Sequence, residues 1–228
     1  MKKIALVTGG SRGLGKVLAQ LLVKNNYQVI ATYNSLVCSD KIIDYQKCDL
    51  ADECDINNLF KYINDKYGSL DVLVNNAALC LDNDFRQKVQ DEFLQVLKVN
   101  LVGTFLMCKE AIKVMNKGVI VNIASLDGID TFSPYSMDYA ASKAGVINIT
   151  KNMASDVSNA RIVALAPAWI NTQTVLDMNP NYLKEEMKKH HQDKLLDKEK
   201  VALKIIDMIE NDKYKTGSII RMEDDSNE

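Results

Sequence analysis

A short apolar run, Ile4-Ala5-Leu6-Val7-Thr8, meets a cluster of glycines at positions 9, 10, 13 and 15 and then passes into a helical repeat. Leu14, Val17, Leu18, Leu21 and Leu22 recur at i, i+3, i+4, i+7 and i+8, one face of a helix. The run before the glycines has the composition of a strand buried on both faces. Glycines at a strand-to-helix junction permit a tight turn and let an anion approach the free N–H groups of the helix. Gly9, Ser11, Arg12, Gly13, Leu14 and Gly15 are therefore expected to cradle a diphosphate. Taken alone, the turn also fits a tight loop with no ligand.

Strands and helices alternate along the rest of the chain. Strands are expected at 27–33, 45–48, 71–75, 118–124, 161–166 and 217–222. Helices are expected around Ile56–Tyr67, closed by Gly68, from about Asp91 to Met115, over Tyr139–Val157, and in a Lys/Glu-rich stretch near 181–210. The interval from Asn34 to Asp44 is too short for a full helix. This order implies right-handed crossovers, a Rossmann-type doubly wound parallel sheet and helices on both faces. Ligands bind such sheets beyond the carboxyl ends of the strands. The loops after residues 8, 33, 48, 75, 124 and 166 therefore carry the function. No repeat or linker composition interrupts the pattern, so residues 1–228 are expected to form one catalytic domain.

The 228 residues are 47% apolar and 25% charged, which excludes a disordered chain or a disulfide scaffold. A net charge of −2 gives no footprint for nucleic acid or an acidic membrane. The apolar run near the N-terminus is too short for a signal-peptide core, and no stretch is long enough to span a bilayer. Cys38, Cys48, Cys54, Cys80 and Cys108 form no CxxC pair, so free thiols in the cytoplasm and no metal site are expected.

The end of the second strand bears on the coenzyme. An NAD site usually places an acid there for the ribose 2′-hydroxyl. Thr32-Tyr33-Asn34-Ser35 has none, and Arg12 offers a guanidinium to a 2′-phosphate. NADP(H) is thus favoured over NAD(H), with Tyr33 and Asn34 beside the adenosine.

Taken together, these pieces resemble the short-chain dehydrogenase/reductase family over almost the whole chain. Thr8–Gly15 resembles its TGxxxGxG turn. Asp49-Leu50 stands where the family meets the adenine, and Asn76-Ala77-Ala78 completes a run similar to NNAG. Asn100 resembles the active-site Asn, Ser125 the active-site Ser, and Tyr139 and Lys143 the YxxxK pair. Pro167, Ile170 and Thr172 resemble PGxIxT. Ala78 and Ala168 replace family glycines, each adding a methyl group beside the coenzyme.

Tyr139 and Lys143 lie four apart, on one face of a helix. A free phenol has a pKa near 10, and a neighbouring ammonium is expected to lower it. Ser125 can donate to a substrate oxygen. By resemblance, Lys143 also holds the nicotinamide ribose, and Asn100 holds a water linking Lys143 to solvent. Tyr135 has no lysine four residues on and is not a second such pair. His190 and His191 are expected to be solvated and to share no metal.

The resemblance implies an NADP(H)-dependent oxidoreductase of a small-molecule carbonyl or secondary alcohol. The 3-oxoacyl-[acyl-carrier-protein] reductases are the most similar-looking members. Acyl-carrier protein is acidic, yet no clear basic cluster marks the mouth. A coenzyme-binding sensor or scaffold without catalysis is the alternative. The resemblance further implies a homodimer or homotetramer packed through the helices at 91–115 and 139–157, and a lid near 177–200. Leu176, Met178, Leu183 and Met187 would be the apolar side of that lid.

Overall fold

A computed structural model describes residues 2–36, 40–130 and 132–224; Cys38 lies outside them. The chain runs β1 (Ile4–Val7), α1 (Gly13–Lys24), β2 (Gln28–Tyr33), β3 (Asp44–Lys47), α2 (Glu53–Tyr67) and β4 (Val72–Asn75). It continues through α3 (Gln90–Leu97), α4 (Thr104–Val114), β5 (Gly118–Ile123), α5 (Met137–Ala154) and β6 (Ala160–Pro167). Next come α6 (Gln173–Leu176), α7 (Pro180–Lys189), α8 (Lys198–Glu210) and β7 (Ile219–Met222). The strands form one seven-stranded sheet in the order β3-β2-β1-β4-β5-β6-β7. Every pairing is parallel. This is the Rossmann-type α/β fold expected from the sequence, and its order reverses between β1 and β4.

The strand side chains explain why both faces are covered. Ala5, Val7, Val29, Val72, Val74, Val121 and Val163 point to a core shared with α1 and α8. The intervening Leu6, Ile30, Leu73, Ile120 and Ile162 point to a second core with α2 and α4. That period of two feeds two cores from one set of strands. Fully buried side chains such as Leu18, Leu22 and Ile205 each contribute ~1.5–3 kcal/mol.

Two expected helices are divided. The stretch from Asp91 to Met115 is α3 and α4 joined by a π-helical turn over Lys98–Gly103. Apolar periodicity does not register this turn, because the chain stays helical through it. The Lys/Glu-rich stretch is α7 and α8, separated at His191, whose φ of 52° is left-handed. The remaining boundaries shift by a few residues. Among the described residues, no helix is long and apolar enough to cross a membrane.

The glycine turn is tied to the neighbouring strand end. Asn76 Nδ2 donates to the Thr8 carbonyl at 2.9 Å, and the Asn76 and Ala77 N–H groups donate to Thr8 Oγ1 at 2.9 and 3.0 Å. A Cβ on Gly15 would lie 2.3 Å from the Gly9 carbonyl oxygen and 2.5 Å from Asn76 Nδ2. Backbone meets backbone here, so nothing flexible can yield. Gly15→Ala is expected to destabilise the fold by ~1–3 kcal/mol. Urea unfolding checks this; an unchanged midpoint would refute the packing argument.

Candidate active site

A cleft of about 610 Å³ runs along the carboxyl ends of the strands. That volume suits a small-molecule or coenzyme site. Gly9, Ser11, Arg12, Gly13, Leu14, Gly15, Tyr33, Asn34, Asp49 and Leu50 line one end. Asn76, Ala77 and Ala78 from the loop after β4, and Pro167, Ile170 and Thr172 beyond β6, also face it. Ser125, Tyr139 and Lys143 line the inner part. Of the catalytic and coenzyme-binding residues expected from sequence, Asn100 alone does not line the cleft.

The dinucleotide expected here can be tested against these residues. Helix α1 has no side-chain cap and no acidic residue in its first turn, so its positive end opens to the cleft without a competing carboxylate. Arg12 is exposed at the lip, and the described residues at the end of β2 carry no acid. The donor set fits the diphosphate of a dinucleotide.

Tyr139 enters the cleft from the first turns of α5. Asp138, at the start of that helix, accepts from the Tyr139 N–H at 2.9 Å and pairs with Lys88 Nζ at 2.8 Å. The two side chains are 0% and 4% exposed. Lys88 also donates to the Leu81 carbonyl at 2.5 Å. This buried pair therefore fastens the segment after β4 to the base of the tyrosine helix.

Ser125 follows β5 and opens a 3-10 turn over Leu126–Gly128. A Cβ on Gly128 would come within 2.6 Å of the Lys143 carbonyl carbon and the Ala144 nitrogen. The missing side chain lets this turn lie directly on α5. Ser125 is thereby brought beside Tyr139, near enough to act on its titration. Lys143 is 3% exposed. Its Nζ lies 5.4 Å from the Tyr139 ring centre and donates to the Ile123 carbonyl at 2.6 Å.

The electrostatics differ from the expectation that the phenol would be acidified. Burial drives the Tyr139 pKa upward, and the Asp127 carboxylate and Cys80 add to it. Ser125 opposes this shift without reversing it. Burial also lowers Lys143, to about 8. Desolvation thus outweighs the mutual attraction of the pair. Tyr139 is protonated at neutral pH and stands ready as an acid.

Asn100 lies in the π-turn, a feature often found at functional sites. It is 1% exposed. Its amide accepts from Leu79 N at 2.7 Å and donates to Leu79 O at 2.8 Å and Ser142 Oγ at 3.1 Å. It therefore clamps the loop after β4 to α5.

Other residues reach the cleft that sequence reasoning did not select: Cys80, Asp82, Asp127, Trp169 and His190. Asp127, two residues after Ser125, had a readable signal in its place just beyond a strand end. The expectation for His190 is corrected. Its side chain is 4% exposed, 3.7 Å from the Glu186 carboxylate and edge-on to Trp169. The helix end is folded inward by Gln192, which accepts from Trp169 N and donates to Trp169 O and Lys194 O. His191 is exposed, as expected. Of the residues expected on the apolar side of a lid, Leu176 is exposed, while Met178, Leu183 and Met187 are half-buried. Tyr135 packs edge-on against Tyr182 of α7.

A family model described as short chain dehydrogenase matches residues 3–183. The chain belongs to the short-chain dehydrogenase family. Carbonyl reductase family member 4 of Xenopus laevis is 34% identical over 194 residues, covering 80% of this chain and 82% of the relative. The 3-oxoacyl-[acyl-carrier-protein] reductase FabG of Vibrio cholerae is 33% identical over 189 residues, covering 78% of this chain and 77% of the relative. The ligand-free aldohexose dehydrogenase of Thermoplasma acidophilum superposes with a TM-score of 0.86 at 25% identity, covering 96% of this chain and 92% of that one.

Membership makes this short-chain dehydrogenase an oxidoreductase of carbonyl and alcohol groups. The match spans β1 to the middle of α7, and so includes Ser125, Tyr139 and Lys143. Breaking the buried pair beneath Tyr139 strands an ammonium in a dry site. Asp138→Ala is expected to cost ~3–5 kcal/mol of stability. Urea unfolding of the variant checks this, and a loss under ~1 kcal/mol, the range of an exposed pair, would contradict the buried geometry.

Proposed function

We propose that this short-chain dehydrogenase uses NADP(H) to interconvert a small-molecule carbonyl and its secondary alcohol, with Tyr139, Ser125 and Lys143 as the reacting group and its partners. The observation that carries this reading is that Ser125, Tyr139 and Lys143 line one part of the cleft, with the Lys143 ammonium 5.4 Å from the Tyr139 ring centre. In reduction, Tyr139 gives its phenolic proton to the carbonyl oxygen while Ser125 donates a hydrogen bond to the same oxygen. When bound, the reduced nicotinamide supplies the hydride to the carbonyl carbon. Lys143 then faces a phenolate, which its positive charge stabilises, and its remaining donors hold the nicotinamide ribose. In oxidation the proton moves the opposite way. Asn100 keeps the loop after β4 in place, and a water held there would link Lys143 to solvent, so that the phenolate regains a proton after reduction and Tyr139 sheds one after oxidation.

At the nucleotide end, Gly9, Ser11, Gly13, Leu14 and Gly15 receive the diphosphate. Tyr33, Asn34, Asp49 and Leu50 flank the adenosine. Asn76, Ala77, Ala78, Pro167, Ile170 and Thr172 enclose the nicotinamide side. Arg12 meets the 2′-phosphate, since the acid of an NAD site is missing from the end of β2.

Exposed Leu94, Val102 and Phe105, on the run from α3 to α4, support assembly as a homodimer or homotetramer. Free Cys48, Cys54, Cys80 and Cys108 suit the reducing cytoplasm.

Two measurements test this reading. Tyr139→Phe keeps the ring and removes the acid; it is expected to retain the fold and coenzyme binding while losing at least ~100-fold in kcat. Turnover at the wild-type rate would remove Tyr139 from the chemistry. Arg12→Ala is expected to lower kcat/KM for NADPH by ~10-fold or more and leave NADH within ~2-fold, from loss of a charge-assisted contact. Equal losses with both coenzymes would count against NADP(H).

A further inference from the structure

The substrate end of the cleft is acidic. The charged or titratable groups lining the whole cleft, apart from thiols and the phenols, are Arg12, Asp49, Asp82, Asp127, Lys143 and His190. Arg12 and Asp49 belong to the nucleotide end, and Lys143 is engaged with the Ile123 carbonyl. Asp82, Asp127 and His190 are left to meet the substrate.

Both carboxylates are held in place. Asp127 Oδ2 accepts from Ser125 Oγ at 3.2 Å, and the Asp127 N–H donates back to Ser125 Oγ at 3.2 Å. Asp82 Oδ1 accepts from Cys80 Sγ at 3.1 Å. Each is near enough to Tyr139 to act on its titration. Lys88, which also acts on Asp82, is taken up by Asp138 and the Leu81 carbonyl. On the far wall the His190 ring, beside Trp169, stands in front of Glu186. Glu186 is 1% exposed and its Oε2 has no hydrogen-bond partner. Lys189 pairs with the other oxygen, Oε1, at 2.5 Å, so this carboxylate backs the histidine with its charge largely compensated.

An anionic group brought to this end would meet like charge in a partly desolvated cleft, where repulsion is poorly screened. A plain acyl chain would displace water from beside these carboxylates and offer them no donor in exchange. Hydroxyl or ammonium groups would satisfy them with charge-assisted hydrogen bonds.

Resting on the carbonyl–alcohol reading above, we propose that the substrate carries hydroxyl or ammonium donors beside its reacting carbon and no anionic group, with Asp127 and Asp82 receiving those donors. Trp169 and Met178, which also face the cleft, supply apolar cover for the carbon skeleton. An acyl-carrier thioester, with an apolar acyl chain and an acidic carrier, does not match this wall.

The test follows nicotinamide absorbance with purified enzyme, NADPH and NADH, against a matched panel. The panel holds a polyhydroxylated ketone, an aminoketone, an unsubstituted ketone, a 3-oxo acid and a 3-oxoacyl thioester. One of the two donor-bearing ketones is expected to exceed the other three compounds by ~10-fold or more in kcat/KM. Asp82→Asn, which leaves the Ser125 turn alone, is expected to erode that preference chiefly through KM and to improve the 3-oxo acid. Asp127→Asn should act in the same direction and also shift the pH profile of oxidation to lower pH, because a negative charge beside Tyr139 is removed. The size of the Asp82→Asn loss separates the two donor types. An ammonium loses its counter-charge, whereas a hydroxyl keeps an acceptor.

A 3-oxo acid or thioester turned over as well as the donor-bearing ketones would overturn the substrate inference and leave the oxidoreductase reading standing. So would a preference untouched in both variants. No turnover of any panel member with either coenzyme would overturn both.

Discussion

A lysine ammonium held in a nearly dry site, with its Nζ on the last carbonyl of β5, sets the conditions for everything around it. Lys143 cannot leave that position without abandoning a charged donor in a low-dielectric interior. Its fixed charge keeps the carboxyl edge of the sheet and helix α5 in register. It also faces the Tyr139 ring from within the same helix. The cost of burying it appears in its own titration, lowered to about 8. A lysine near that value is still mostly charged at neutral pH, which a phenolate formed beside it requires.

The same edge is held by polar links between segments far apart in sequence. Thr8 joins the glycine turn to the loop after β4, Asn100 joins that loop to α5, and Lys88 with Asp138 joins its distal part to the start of α5. Each is a buried or part-buried contact whose loss leaves an unpaired group, so each is costly to break. Preorganised positioning of this kind is what a hydride and proton transfer needs, because the protein contributes geometry more than new bonds. The two hydrophobic cores do the remaining work by fixing the planes from which these loops start.

The strand-to-helix junction at one end of the cleft was legible in the sequence because local rules build it. A buried strand, a glycine turn and an amphipathic helix specify a junction that hardly depends on the rest of the chain. The family's spaced residues then fall on successive strand ends. The π-turn carrying Asn100 was not legible, since a single extra residue per turn leaves the apolar pattern unbroken. The burial of His190 was hidden for a different reason. Its neighbours Lys188, Lys189 and His191 read as solvated, and only tertiary contacts with Trp169 and Glu186 draw the ring inward. The upward shift of Tyr139 escaped as well. Spacing supplied the lysine, but not the desolvation or the carboxylate of Asp127 that together outweigh it.

The substrate half is made by residues 79–88, which have no regular structure until the turn near 85–87, and by residues 169–192, where the short helices α6 and α7 are joined by loops. Relatives of nearly equal identity carry different names, a carbonyl reductase and a 3-oxoacyl-[acyl-carrier-protein] reductase, so identity alone says little about what this cleft accepts. Charge is the better guide. Converting the wall to one that welcomes an anion would require more than replacing Asp82 or Asp127. Glu186, paired with Lys189, would remain behind His190, and among the described residues the lysines and arginines lining the cleft are Arg12, beside the glycine turn, and Lys143, engaged with the Ile123 carbonyl. Specificity here is a property of several fixed charges acting together. A single substitution should weaken it by degrees and not reverse it.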